Sequence, residues 1–364
     1  MKDLPILVHI CCSVDSHYFL QKLQESYPKE KLIGFFYDPN IHPYSEYQLR
    51  LLDVKRSCKM LNIELIEGEY DTKKWLDAVR GLEHEPEKGA RCSVCFDRRF
   101  EISAQKASEL GEKYFTSTLL TSPKKSLKQL KASGDLLGKK YNLEFIAPDY
   151  RKASGTQEQN ILAKQDALYR QDYCGCLFGL TQQRQQQKKV ADELFVPLSK
   201  QVQPESIEAR INLYEQRWKL EDQDIPYKIV KERFLNWRLH YGYLRIKKET
   251  IPAHILPYST LKGEYTRGRI EYQIGKLHYM NRDEVKFITL SSYNQLAQSN
   301  YQSVQELIFS PPSFDKEVKI RQHLISNPYD LCMILVVQQI PTQKIEIINK
   351  TDIYEDVKEV LIEL

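Results

Sequence analysis

The sequence predicts an α/β fold with a parallel sheet in its N-terminal half, followed by a smaller α+β domain. Three observations predict it. Short apolar runs recur at PILVHI (5–10), KLIGFFY (31–37), IELIEGEY (63–70), YFTSTLL (114–120) and LEFIAP (143–148), each of strand length. Helix-length segments separate them at 16–27, 45–61, 73–80, 96–111 and 123–133, and such alternation implies right-handed crossovers. A chain of 364 residues also has room for two domains.

The first run is branched and apolar, as a buried parallel strand is, and it ends at HICCSVDSHY (9–18). In an open α/β sheet the carboxyl ends of the strands face the ligand, which places Cys11, Cys12 and Asp15 at that edge. RCSVC (91–95) puts Cys92 and Cys95 at the start of a helix running from Phe96. EQNILAKQDALYRQDY (158–173) reads as a helix, and Cys174 and Cys176 follow it, with Gly175 allowing a sharp turn. LTQQRQQQKKVADEL (180–194) reads as a polar, weakly structured linker. The domain assignment is 1–185, a linker over 186–203, and an extension over 204–364. The extension is expected to hold helices near 204–222 and 226–239, and strands near 241–247, 268–280 and 284–290. A strand–strand–helix near 332–338, 344–348 and 353–362 is expected to close it.

Composition narrows the class. The chain is 41% apolar and 28% charged, ordinary for a protein with a sizeable core. No apolar run approaches the ~18 residues of a membrane span, and MKDLPILVHI lacks a signal-peptide pattern, so a cytoplasmic protein with no membrane partner is expected. Net charge is +4, which admits a polyanionic partner. Residues 231–270 carry a surplus of six positive charges. There RFLNWRLHYGYLRIKK (233–248) interleaves Trp237 and Tyr243 with Arg238, Arg245, Lys247 and Lys248. That is the composition of an RNA surface, or of an amphipathic segment with a solvated basic face.

Eight cysteines are the strongest signal. Six form three close pairs, and in a reducing cytosol clustered thiols read as metal ligands or redox groups. Cys58 and Cys332 lie in apolar runs and read as core. A closed zinc site takes four ligands and only one pair here is C-x-x-C, whereas iron–sulfur clusters also take soft thiolates, so both metals stay open on spacing alone. CCSVDS has the length and final D-S of a nucleotide-binding S-G-G-x-D-S loop. Cys12 and Ser13 occupy the glycine positions that let backbone N–H groups reach phosphate, which disfavours ATP pyrophosphatase chemistry.

The ordered set HICC, FFYDPNIHPYSEYQLR, GLEHEPEKGARCSVCFDRR, TSTLLTSP and LYRQDYCGC resembles the QueH family of epoxyqueuosine reductases over roughly residues 5–180. The resemblance implies a Rossmann-like, nucleotide α-hydrolase-like sheet with a metal site at its carboxyl edge. It implies an oxidoreductase that reduces epoxyqueuosine to queuosine at the wobble position of tRNA. The epoxide becomes an alkene, its oxygen leaves as water, and no cobalamin is used. Cys11, Cys12, Cys92 and Cys95 match the family's cluster cysteines and would carry a 4Fe-4S cluster. Cys174 and Cys176 match its C-x-C pair, a redox pair or the ligands of a second iron ion. Many members read C-C-A-P-C where this chain has Val14 and Asp15, so Asp15 is a candidate iron ligand or proton donor, with helix capping as the plainer alternative. Substrate contacts are sought at Asn40, His42, Tyr44, Arg91, Tyr169, Arg170 and Tyr173. The implied partners are the anticodon arm of a tRNA carrying epoxyqueuosine and a low-potential electron donor, with tRNA binding as a role for the extension. A zinc-stabilised, tRNA-binding nucleotidyl or sulfur-transfer enzyme is the alternative, and a non-catalytic metal- or RNA-binding protein a third.

Overall fold

The computed structural model describes residues 5–364 apart from 123–125, 153, 196, 282–283 and 328. They form two compact units. One comprises Met1–Glu193, Arg210–Ile229 and Glu363–Leu364; the other comprises Leu194–Ala209 and Val230–Ile362.

The first unit runs β1 (Ile6–Ile10), α1 (Ser13–Ser26), β2 (Leu32–Phe36), α2 (Tyr44–Met60), β3 (Glu64–Glu67), α3 (Thr72–Ala78) and α4 (Ala90–Glu109). It continues through β4 (Tyr114–Ser117), α5 (Leu127–Tyr141), β5 (Glu144–Phe145), α6 (Gly155–Gln165) and α7 (Leu177–Gln187). The strands form one parallel sheet in the order β3-β2-β1-β4-β5. Every residue of β1 and β2 is buried, because helices cover both faces of such a sheet and a continuous apolar run is what both faces accept. The strand order reverses direction between β1 and β4, so the loops leaving those two strands diverge and open a crevice at the carboxyl edge. Gly134 of α5 lets that helix close onto β5: a Cβ there would meet the Phe145 ring at 2.2 Å.

Several boundaries differ from the sequence expectation; the helix expected over 158–173, for one, ends at Gln165 as α6, and the one expected over 123–133 runs from Leu127 to Tyr141 as α5. Helix α4 starts at Ala90, not Phe96, so Cys92 and Cys95 lie three residues apart on one face of its first turns. The expected linker over 180–194 is helical as far as Gln187, because α7 starts directly behind Cys176 and packs Leu180 and Arg184 inward. The helix expected in the extension is present as α8 (Ile207–Asp222), yet from Arg210 on it belongs to the first unit. Its Arg217, fully buried, places Nη2 2.6 Å from Asp53 Oδ1 and donates to Ala167 O at 2.8 Å. Asp53 also accepts from Ser13 Oγ and from Tyr169 N, at 2.8 Å for the latter, so one carboxylate ties α1, α2, α8 and the chain before the C-x-C pair.

The second unit holds β7 (Glu249–Ile251), β8 (Ala253–Ile255), β9 (Tyr265–Gly268), β10 (Ile270–Ile274), β11 (Leu277–Met280), β12 (Val285–Thr289), β13 (Met333–Val337) and most of β6 (Tyr227–Ile246) and β14 (Ile345–Glu363). Helices α9 (Leu290–Ala297), α10 (Val304–Phe309) and α11 (Phe314–Leu324), none of them foreseen, lie between β12 and β13. The sheets order as β10-β11-β12-β13-β8 and β7-β6-β14-β9. The helices expected at 226–239 and 353–362 are strands, in β6 and β14. Each segment spaces its apolar residues loosely enough to read as a helix, and pairing between the two long strands overrides that local pattern. Asn236–Asp356 (2.9 Å) and His240–Asp352 (2.7 Å) contacts link them. Trp237 and Arg238 are buried: the indole N–H donates to Ser259 O at 3.2 Å, and the guanidinium to Asn236 Oδ1 at 2.6 Å and Pro204 O at 2.7 Å. Neither is placed to meet RNA, which corrects that part of the basic stretch. Tyr243 and Arg245 stack at 4.7 Å, and Lys247 and Lys248 are exposed in the turn to β7. Among the described residues no helix is long and apolar enough to cross a membrane.

Replacing Asp53 with alanine strands the buried Arg217 guanidinium. Chemical denaturation should show a loss of about 3–5 kcal/mol, the cost of breaking a buried pair. A loss below about 1 kcal/mol would mean that Asp53 is not the tie between these elements.

Candidate metal centre

Strand β1 delivers Cys11 and Cys12 to the crevice between β1 and β4. Cys12 occupies the capping position of α1, with extended backbone (φ −164°, ψ 159°), and its carbonyl accepts from Ser16 N–H at 3.1 Å. Asp15 is therefore inside the first turn and does not cap the helix, which settles the plainer alternative for that residue against capping. The Cys11 and Cys12 sulfurs are 3.9 Å apart, and Cys11 Sγ lies 3.9 Å from Thr118 Oγ1, beyond β4. Ligand atoms of Cys11, Cys12 and Asp15 all lie within 4.8 Å of one another. Their S–H···S contact lowers the Cys11 thiol and raises that of Cys12, which burial raises further. Burial also raises the Asp15 carboxyl, against the hydrogen bond from Gln159, whose Nε2 donates to Oδ1 at 2.8 Å.

The other thiols come from two helix starts. In α4, Cys92 is half-buried and its sulfur accepts from Lys88 N–H at 3.3 Å. Cys95 is buried against Trp75, Val79 and Cys176, and burial pushes its thiol up to about 12. Cys176 is the residue before α7, also buried and raised by burial, with the N–H groups of Gly179 and Phe178 opposing that shift. Cys174 is exposed. The charges of Cys174 and Cys176 both act on Cys95, so these three thiols form a second group.

Arg99 joins the two groups. Its guanidinium is buried, ion-paired to Asp38, and its charge acts on Cys11 and Cys95 alike and is itself favoured by Cys174. A fixed cation there favours negative sulfur, and soft thiolates with one carboxylate are a donor set suited to iron or an iron–sulfur cluster. The buried Asp38 Oδ2 and Asn40 Oδ1 make no hydrogen bond among the described residues.

The C-x-C turn is clamped to the loop after β2. Ile41 bridges Cys176, His42 N–H donates to Gly175 O at 2.7 Å, and Tyr173 OH donates to His42 O at 2.6 Å. Arg50 donates to the carbonyls of Tyr173 (3.1 Å) and Cys174 (3.2 Å). Asn40, His42, Tyr44, Tyr173 and the C-x-C pair thus come together. His42 is half-buried, with Nδ1 3.1 Å from Asn40 O; Tyr44 is exposed and stacks on Tyr47 at 5.8 Å. Four expected contacts have their polar groups engaged within the fold. Tyr169 is buried with its hydroxyl 2.9 Å from Glu46 Oε2, and Tyr173 is buried as described. Arg91 is buried and donates to Leu82 O and Glu83 O at 3.2 and 2.7 Å, closing the loop before α4. Arg170 is exposed and donates to Asn160 Oδ1 at 2.7 Å. Sequence reasoning did not single out Asp38, Arg50, Trp75 and Gln159; Asp38 and Arg50 lie in the FFYDPNIHPYSEYQLR motif that was available as a signal. Cys58 and Cys332 are core residues, as expected.

Comparison with known proteins matches residues 6–182 to the family described as Epoxyqueuosine reductase QueH. The chain is similar to the epoxyqueuosine reductase QueH of Helicobacter pylori, 39% identical over 97% of this chain and 99% of that protein. It is similar to those of Histophilus somni (37% identical, 48% of this chain, 72% of that one) and Thermotoga maritima (33% identical, 51% of this chain, 95% of that one).

The turn that holds the C-x-C pair depends on Gly175, at φ +100°, where a Cβ would meet Ile41 Cγ1 at 2.9 Å and Arg50 Nη1 at 3.1 Å. Gly175→Ala should lower stability by about 1–3 kcal/mol in denaturant unfolding. A variant as stable as the wild type would show that the turn relaxes without cost.

Proposed function

The chain belongs to the epoxyqueuosine reductase QueH family, and on that premise we propose that the thiol-rich edge of its first unit is where the epoxide is reduced. It is an oxidoreductase of queuosine biosynthesis that acts on tRNA. The observation that supports the location is the meeting of Cys11, Cys12 and Asp15 at the crevice, joined through buried Arg99 to Cys95 and Cys174.

Turning an epoxide into an alkene breaks two C–O bonds, consumes two electrons and two protons, and releases the oxygen as water. In this reading Cys11, Cys12, Cys92 and Cys95 hold a 4Fe-4S cluster. Asp15, beside Cys11 and Cys12, is a candidate iron ligand or proton donor, and Cys174 and Cys176 hold a second iron ion or serve as a redox pair. When bound, such iron supplies single electrons at low potential and a Lewis acid worth several kcal/mol of charge stabilisation. The protein does the rest. Gln159 fixes one oxygen of Asp15, and Arg99 contributes a cation beside the charge that develops on the epoxide oxygen. The Nδ1 contact of His42 with Asn40 O leaves Nε2 as the atom from which a protonated ring releases a proton. Asn40 and Tyr44 flank His42 and are the remaining candidates to meet the modified base. The partners in this reading are the anticodon arm and a low-potential electron donor in the cytoplasm, and no cobalamin is required. In the second unit, Tyr243, Arg245, Lys247 and Lys248 are the candidates to contact tRNA.

Under anaerobic purification, Cys92→Ala and Cys95→Ala should each lose the visible absorption of the cluster, and full iron retention in both would reject that ligand assignment. Cys174→Ser and Cys176→Ser should keep the absorption and lose turnover of epoxyqueuosine-containing tRNA; normal turnover in either would make the pair structural. Asp15 lies within reach of the Cys11 and Cys12 sulfurs, so if it ligates iron, Asp15→Ala should alter the cluster spectrum, and an unaltered spectrum would remove it from the ligand set.

A further inference from the structure

We propose that a cleft beside the thiol edge receives a nucleotide flanking the wobble position, with its base on an apolar floor and its phosphate at Lys128. The proposal rests on the reading above that tRNA is presented to this edge.

The cleft lies in the first unit, between α5 and the segments that leave β4 and β5, and has a volume of about 320 Å³. That is the low end of small-molecule sites, room for one base with part of its ribose and too little for a folded arm. Leu120, Leu127, Ala132 and Ala147 give it apolar walls, while Lys128, Lys131 and Asp135 give it a polar side. Lys131 is taken by Asp135 at 2.7 Å. Lys128 is exposed and has no carboxylate partner among the described residues, so among the cleft's described lining residues it is a cation open to a ligand.

The position of the cleft follows from the chain. Leu120 closes the 3₁₀ turn Thr118–Leu120, whose first residue lies 3.9 Å from the Cys11 sulfur through its hydroxyl. Leu120 lines the cleft, so the cleft wall is continuous in the chain with the residue that faces Cys11. The next residue, Thr121, donates from Oγ1 to Asp15 O at 3.1 Å, which ties the cleft wall to the thiol site. A polynucleotide with one base at the thiols must place its neighbours a nucleotide step away. RNA loops are recognised by unstacked bases on apolar surfaces together with cations at the backbone.

The test is binding of a fluorescent anticodon stem–loop RNA to the full chain, over a range of salt. Lys128→Glu should weaken binding several-fold and reduce the slope of log affinity against log salt by about 0.7, one phosphate on a single strand. Ala132→Trp, which fills the cleft from an exposed position, should weaken binding and leave the slope unchanged. An abasic residue on one side of the wobble position should weaken binding to the wild type and not to Ala132→Trp. If the wild type binds and both variants match it in affinity and slope, the cleft is overturned on its own. If the wild type binds no stem–loop, the tRNA reading falls with it.

Discussion

Burial at this sheet edge pushes the thiols of Cys95 and Cys176 up, and one buried cation opposes burial for the sulfur beside it. Arg99 carries that charge. It sits in α4 behind Cys92 and Cys95, pairs with Asp38 after β2, and acts electrostatically on Cys11 after β1 and is favoured by Cys174 before α7. A guanidinium that deep is costly without a partner, and the Asp38 carboxylate offsets that cost while still leaving it available to sulfur. The three cysteine pairs are far apart in sequence, and this one side chain is where their electrostatics meet.

The sheet explains why they can meet. In the order β3-β2-β1-β4-β5, the reversal beside β1 opens the carboxyl edge at the one strand whose sequence ends in two cysteines. Helix starts bring Cys95 of α4 and Cys176, the residue before α7, against each other. The loop after β2 then holds the C-x-C turn through Ile41, His42 and Arg50. Asp53 has the corresponding role for the scaffold, fixing α8 and the segment before the turn to α1 and α2. The FFYDPNIHPYSEYQLR motif thus has a structural part: Arg50 and Ile41 set the backbone of the thiols across from it.

What could be read in advance follows from physical range. The parallel strands were legible because burial on both faces leaves continuous apolar runs, and the cysteine pairs stood out by their close spacing. Cys58 and Cys332 were assigned to the core on the same grounds and lie there. Segments 226–239 and 353–362 misled because their strand identity comes from pairing across more than a hundred residues, which local periodicity does not report. The composition around Trp237 and Arg238 fits an RNA surface and a solvated basic face alike, and pairing and packing turn both residues inward; Arg91 and Tyr169 are likewise buried. Gln159 gave no signal at all, since a lone glutamine on a helix becomes informative only when its partner, Asp15, is known.

The account stands on iron–sulfur chemistry at this edge. Its most direct test is the iron and acid-labile sulfide content of the full chain purified without oxygen. A brown protein with about four sulfides per chain and at least as much iron, as a 4Fe-4S cluster requires, is the predicted result. A colourless protein holding one zinc and no sulfide would contradict it.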